Sequence, residues 1–197
     1  MKNEPKQSGI TIVEIPQEKY GLLTRETVNE IVGVALSAFG SGMTGREVTD
    51  HVFPTDRAYL AYTQEGLVGF ATAEIRDKSV YLAGAAIKST HQGTGVYKEF
   101  ALRRVNLALD LGKEMVETRT QNPRIECGIR ACLERFRGIG VIKSFSIERE
   151  TCPGIYGRML TAERPFSDVE EVNQFYATLD YERGDAYLLR FLLKSGR

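Results

Sequence analysis

The stretch Gln92-Gly93-Thr94-Gly95-Val96-Tyr97 is the part of this sequence whose residue types and spacing best suit chemistry. It follows a run of small apolar residues, Tyr81 to Ile87, and opens a segment in which Val96, Phe100, Leu107, Ala108 and Leu111 recur at helical spacing. A glycine-rich turn between a strand and a helix lets successive backbone N–H groups converge on an anion, and glycine is needed because a side chain would hold the anion off. Taken alone, the pattern also fits a tight strand-to-helix connection with no ligand. Two other phosphate loops are excluded. No Gly-Lys-Ser/Thr follows, and the preceding strands read as hairpins where a dinucleotide-binding βαβ unit would stand.

The elements that must position this turn follow from periodicity. Ile10 to Ile15 alternates at period two and is ended by Pro16. From an N-cap at Thr24, helical spacing runs to Phe39, where Gly40 and Gly42 stop it, and a second, shorter helix starts near Thr44. Arg57 to Thr63 and Leu67 to Ile75 are strands joined by a Gly-containing hairpin connection, and Ser79 to Lys88 returns as a strand buried on both faces. In the helix after the turn, Lys98, Arg103, Arg104 and Asp110 fall mostly off the apolar face, and Gly112 sits at C′. Met115 to Gln121 alternates as a strand. Pro123 breaks it, and Ile125 to Phe136 is helical up to Gly138 and Gly140. Val141 to Ile147 reads as a strand, Ser167 to Leu179 as a helix opening with a Ser-x-x-Glu cap, and Ala186 to Leu193 as a final strand. Cys152 to Phe166 carries no assignable pattern.

With 197 residues, 42% of them apolar, the chain suffices for one α/β domain spanning 1–197, of which 1–9 read as a flexible tail. Lys plus Arg and Asp plus Glu each number 26, so no overall field draws the molecule to nucleic acid or an anionic membrane, and any anion site must be local. No segment is long and apolar enough to span a bilayer, and no secretory signal opens the chain, so the expected location is cytoplasmic. Cys127, Cys132 and Cys152 are odd in number and lack metal-ligand spacing, while His51 and His91 are lone, so no metal is expected.

The order of elements and the loop together make this chain resemble the GNAT superfamily of acyl-CoA transferases, whose pyrophosphate loop reads Gln/Arg-x-x-Gly-x-Gly/Ala. Gln92, Gly95 and the frequent extra glycine at Gly93 match, and Tyr97 stands where the family usually has Gly or Ala. Val116-Glu117-Thr118-Arg119-Thr120-Gln121-Asn122 resembles the fifth strand of the family's N-terminal aminoacyl and ribosomal-protein acetyltransferases. The likeness covers roughly Arg57 to Gly140. It implies a central mixed, mostly antiparallel sheet flanked by helices, with splayed fourth and fifth strands.

The resemblance also implies a reaction. The pantetheine arm of acetyl-CoA would pair with the backbone of Ala85, Ala86 and Ile87, and the pyrophosphate would rest on amides of Gln92, Gly93, Thr94, Gly95, Val96 and Tyr97. Asn122 would touch the arm. A primary amine, on a small molecule or a peptide, would attack the thioester directly, with Glu117 as general base and Tyr81 orienting water or substrate. The family tyrosine that protonates the departing thiolate is replaced by Leu133. The rival reading is a non-catalytic CoA-binding or ligand-sensing domain. The resemblance leaves room for a homodimer.

Overall fold

The computed structural model describes residues 9–40 and 43–196. Residues 1–8 of the predicted tail and Gly42, the second predicted helix stop, lie outside them. Seven strands form one sheet in the order β1-β2-β3-β4-β5-β7-β6. They are β1 (Thr11–Pro16), β2 (Arg57–Thr63), β3 (Gly66–Ile75), β4 (Ser79–Ile87), β5 (Met115–Thr120), β6 (Ile142–Cys152) and β7 (Ala186–Ser195). Every neighbouring pair is antiparallel except β4 and β5. That parallel pair needs a crossover, which α3 (Val96–Asp110) supplies.

Helices cover both faces. On one side α1 (Arg25–Phe39) and α2 (Gly45–Val52) bury Ile31, Val34, Val48 and Val52 against Leu60, Leu67, Phe70 and Ala86. On the other, α3 and α4 (Pro123–Gly138) pack Val96, Phe100, Val105, Ile129 and Leu133 onto Val80, Leu82, Val116, Leu189 and Phe191. Helix starts follow local chemistry. Thr24 caps α1, Thr44 and Glu47 close a reciprocal capping box on α2, and Asn122 caps α4 with Pro123 as its first residue.

Several expectations are corrected. The last helix, α5 (Glu170–Tyr176), is shorter than predicted and has Val169 at its N-cap. Ser167 instead bonds Asn173, whose side chain reaches back to the Ser167 backbone, so a side-chain loop replaces the capping box. Leu111 is not on the buried face of α3: it is the C-cap residue and is exposed. Arg104 is not on the wet face either, being 1% exposed. The strand expected over Val141 to Ile147 extends to Cys152, carried by its ladder with β7.

Candidate functional site

The sheet opens in its middle. Strands β4 and β5 pair only from Ser79 opposite Met115 to Leu82 opposite Thr118, although β4 continues to Ile87. The cause lies on the other side of β4, where the register with β3 slips between Thr72 and Glu74 so that Leu82 and Ala83 together oppose Ala73. A bulge of this kind bends the strand and ends its pairing.

The parting of β4 from β5 and the bulge beside it leave carbonyls to be met, and three side chains take them up. Thr118 Oγ1 donates to the Leu82 oxygen at 3.0 Å, His51 Nε2 to Ala83 at 2.8 Å, and Arg104 Nη1 to Gly84 at 3.2 Å. Arg104 also donates to the Thr72 and Phe100 carbonyls. This is why a guanidinium is tolerated inside α3's buried face: its donors are spent on backbone oxygens, and burial pulls its pKa down. A Cβ at Gly84 would lie 3.0 Å from the His51 ring, so a larger residue there would push the ring off its carbonyl.

Beyond the divergence point a cavity of about 390 Å³ passes through the gap, within the usual size range of a ligand site. Ala83, Gly84 and Ala85 line it from β4, Thr118, Arg119 and Thr120 from β5. Helix α2 and the irregular stretch from Ile155 to Pro165 roof it on one side, and Tyr97 and Arg104 of α3 floor it on the other. Gln121 pins the roof, donating to the Arg158 and Asp185 carbonyls and accepting from the Leu160 amide. Lys88 donates its amide to Val68 of β3. Alternation along the strand therefore turns the N–H and C=O of Ala85 and Ile87 toward the gap.

The predicted anion loop begins where β4 ends. Gly93 (φ 79°) and Gly95 (φ 94°) are in the left-handed region, which favours glycine, and both are exposed. Gly95 is the N-cap of α3, so the first-turn amides of Val96, Tyr97 and Lys98 have no partner within the helix. The Gly93 and Gly95 amides donate to no backbone carbonyl among the described residues. Thr94 folds over His91, and Gln92 Nε2 reaches the Ile87 carbonyl. The side chain of Val96 is core, leaving only its amide to the loop.

Tyr97 turns inward from the loop. Its ring lies on Gly128 of α4, where a Cβ would approach to 2.7 Å, and its buried hydroxyl makes no hydrogen bond among the described residues. Burial pushes that hydroxyl up to about 12, against the pull of Arg104.

The other predicted residues separate into those that line the cavity and those behind it. Asn122, Ala85 and Tyr81 line it, while Ala86 faces the α1–α2 core and Ile87 packs on the opposite one. Tyr81 lies beneath the Arg76 guanidinium, 3.9 Å from its ring centre, and burial raises its pKa. Glu117 stands behind Tyr81, its cross-strand partner, and is not among the lining residues. Its carboxylate accepts from Ser79 Oγ at 2.6 Å and Arg190 Nε at 3.3 Å, with Arg76 3.6 Å away.

Sequence reasoning passed over His51 as a lone, exposed histidine, gave Gln121 and Arg119 no role, and singled out from the 155–165 stretch only Tyr156, as one candidate to protonate the thiolate. The one available signal was Glu47 and His51 four apart on one face of α2.

At the sequence level no family profile and no curated protein matches the chain. Solved structures do. The ribosomal-protein-S18-alanine N-acetyltransferase of Escherichia coli superposes with a TM-score of 0.55 at 9% identity, covering 94% of this chain and 95% of the other. A GNAT family acetyltransferase from Elizabethkingia anophelis, with acetyl-CoA bound, gives 0.55 at 15% identity over 95% and 100%. A Bacillus subtilis acetyltransferase in complex with CoA gives 0.53 at 19% identity over 93% and 98%. The chain has the GNAT fold. The mixed, mostly antiparallel sheet that the resemblance implied is present, and its one parallel pair, β4–β5, is part of this GNAT architecture. At such identities the likeness speaks for the fold, so the chemistry must be argued from the cavity.

Proposed function

We propose that this chain is an N-acyltransferase that moves an acetyl group from acetyl-CoA to a primary amine. One observation carries the reading: a cavity runs through a gap in the sheet whose β4 edge is unpaired with β5, and the turn after β4 leaves the Gly93, Gly95 and first-turn α3 amides without backbone partners among the described residues. An extended amide-bearing arm can pair with the Ala85 and Ile87 edge as a strand would. The diphosphate of CoA then falls on the amides of residues 92–97, where a helix N-terminus favours negative charge. Asn122, at the N-cap of α4, lies where the arm would pass. The neighbours with CoA or acetyl-CoA in their crystals support this choice of donor.

In the reaction the amine nitrogen attacks the thioester carbonyl, a C–N bond forms, and the C–S bond breaks as the thiolate leaves. The amine loses a proton and the thiolate gains one. Glu117 is proposed to accept the amine's proton by relay past Tyr81, since its carboxylate does not itself reach the cavity wall.

The test is thermal stabilisation by CoA together with release of free thiol from acetyl-CoA in the presence of amines. Thr94→Glu places a negative charge in the exposed loop at a residue without positive φ. It should abolish stabilisation by CoA while leaving the melting temperature of the free protein within a few degrees. Undiminished stabilisation in this variant would remove the loop from the site. CoA binding without turnover of any amine would favour a sensing domain.

A further inference from the structure

One cation in the cavity wall has no hydrogen-bonding or ion-pair partner among the described residues. Arg119 is on β5, one residue past the last pairing with β4, and lines the cavity. Its Nε is buried without a hydrogen-bond partner, and among the described residues its guanidinium makes no hydrogen bond or ion pair. The other arginines of the wall are engaged, Arg158 with Glu47 and Arg104 with three carbonyls. A buried Nε–H without an acceptor costs free energy that a ligand reaching it from the cavity would offset.

Strand alternation says which ligand it faces. Val116 and Thr118 point to the α3–α4 side, Val116 into that core, so Glu117 and Arg119 point to the opposite side, under α2 and the 155–165 roof. The loop of residues 92–97 leads into α3, and the Tyr97 floor stands on that helix. Arg119 therefore faces the compartment left to the acceptor once the donor's arm fills the gap. Phe39, Met43, Phe70, Ile155 and Leu160 give that compartment an apolar stretch, beside the polar groups of Glu47, His51, Arg158 and Thr161. Across the whole lining three arginines stand against one glutamate, a field that repels polycations.

We infer that the acceptor is an amine that carries a carboxylate and an apolar body, such as an apolar amino acid, and that Arg119 grips the carboxylate through its planar fork. This rests on the acyltransferase reading for the word acceptor, and on the cavity alone for the carboxylate site. A guanidinium matches a carboxylate with two parallel hydrogen bonds, and the amine of an amino acid is held one carbon away from that anchor.

The experiment titrates the purified full chain by calorimetry with phenylalanine, phenylalaninamide and spermidine, with and without saturating CoA. Phenylalanine should bind at least about tenfold more tightly than its amide, since a charge-assisted pair is lost in the latter, and spermidine should not bind. Arg119→Gln should bring the amino acid down to the affinity of the amide without altering CoA-dependent stabilisation. Arg119→Lys, which keeps charge but loses the fork, should retain part of the preference. Equal affinity for acid and amide, or a preference that survives in Arg119→Gln, would overturn the proposal. So would competition between CoA and phenylalanine, which would give Arg119 to the donor. If CoA gives no stabilisation, the transferase reading fails, while the titrations without CoA still decide the carboxylate site.

Discussion

His51 Nε2 stands 2.8 Å from the carbonyl oxygen of Ala83, a contact that ties helix α2 to the bulge where the sheet opens. A carbonyl only accepts, so Nε2 carries a proton in this contact. His51→Ala would leave the Ala83 oxygen without this donor at the most irregular point of β4. A loss of about 0.5–1.5 kcal/mol is expected, read as a melting temperature lower by a few degrees. His51→Gln, with an amide donor, should recover part of it. A fall in kcat larger in His51→Gln than in Glu117→Gln would transfer the base role to His51.

Glu117→Gln keeps the shape of the side chain and removes its charge. If the carboxylate relays the amine's proton, kcat for acetyl transfer should drop by about 10²-fold or more while stabilisation by CoA is unchanged. Parallel losses in turnover, CoA binding and melting temperature would instead mark Glu117 as a strut for Ser79, Arg76 and Arg190.

The seam between α3 and α4 is set by Tyr97 lying on Gly128. Gly128→Ala should destabilise by about 1–3 kcal/mol, because the new methyl meets ring carbons that are themselves enclosed. Combining it with Tyr97→Ala should relieve the clash, giving a non-additive cycle in urea denaturation. Additive effects would show that the two side chains do not share this space.

The roof over the cavity depends on Asp185, whose side chain is nearly buried and takes the fork of Arg183 together with the Gly154 and Asp180 amides. The Arg183 hydrogen bonds, then the two amides, hold its carboxyl well below the usual range despite desolvation. The unfolded chain thus binds a proton near pH 4 that the folded one refuses. The stabilisation is complete above about pH 4 and is lost as pH falls below it. Melting curves between about pH 4 and 2 should show a steeper decline in the wild type than in Asp185→Asn. Identical slopes would assign the acid sensitivity elsewhere.

Much of the frame was legible in the chain itself. Runs of strand-forming residues bounded by polar turns gave the strands from Arg57 to Ile87, a capping residue gave the start of α1, and two glycines marked the turn before α3, because these signals are local and depend on residues a few positions apart. The site was only half legible. Arg104 looked like a wet-face cation because helical spacing cannot foresee that a bulge on another strand will leave carbonyls for it to bind. His51 looked solitary because Ala83, 32 residues away, is what gives it a partner. The stretch from 155 to 165 has no periodicity to read, since Gln121 and Asp185 hold it through long-range bonds to its backbone and flanks. What a residue can form with its neighbours in sequence was settled by sequence. Which polar groups lost their partners, and which distant side chains replaced them, was decided only when the sheet closed around its own gap.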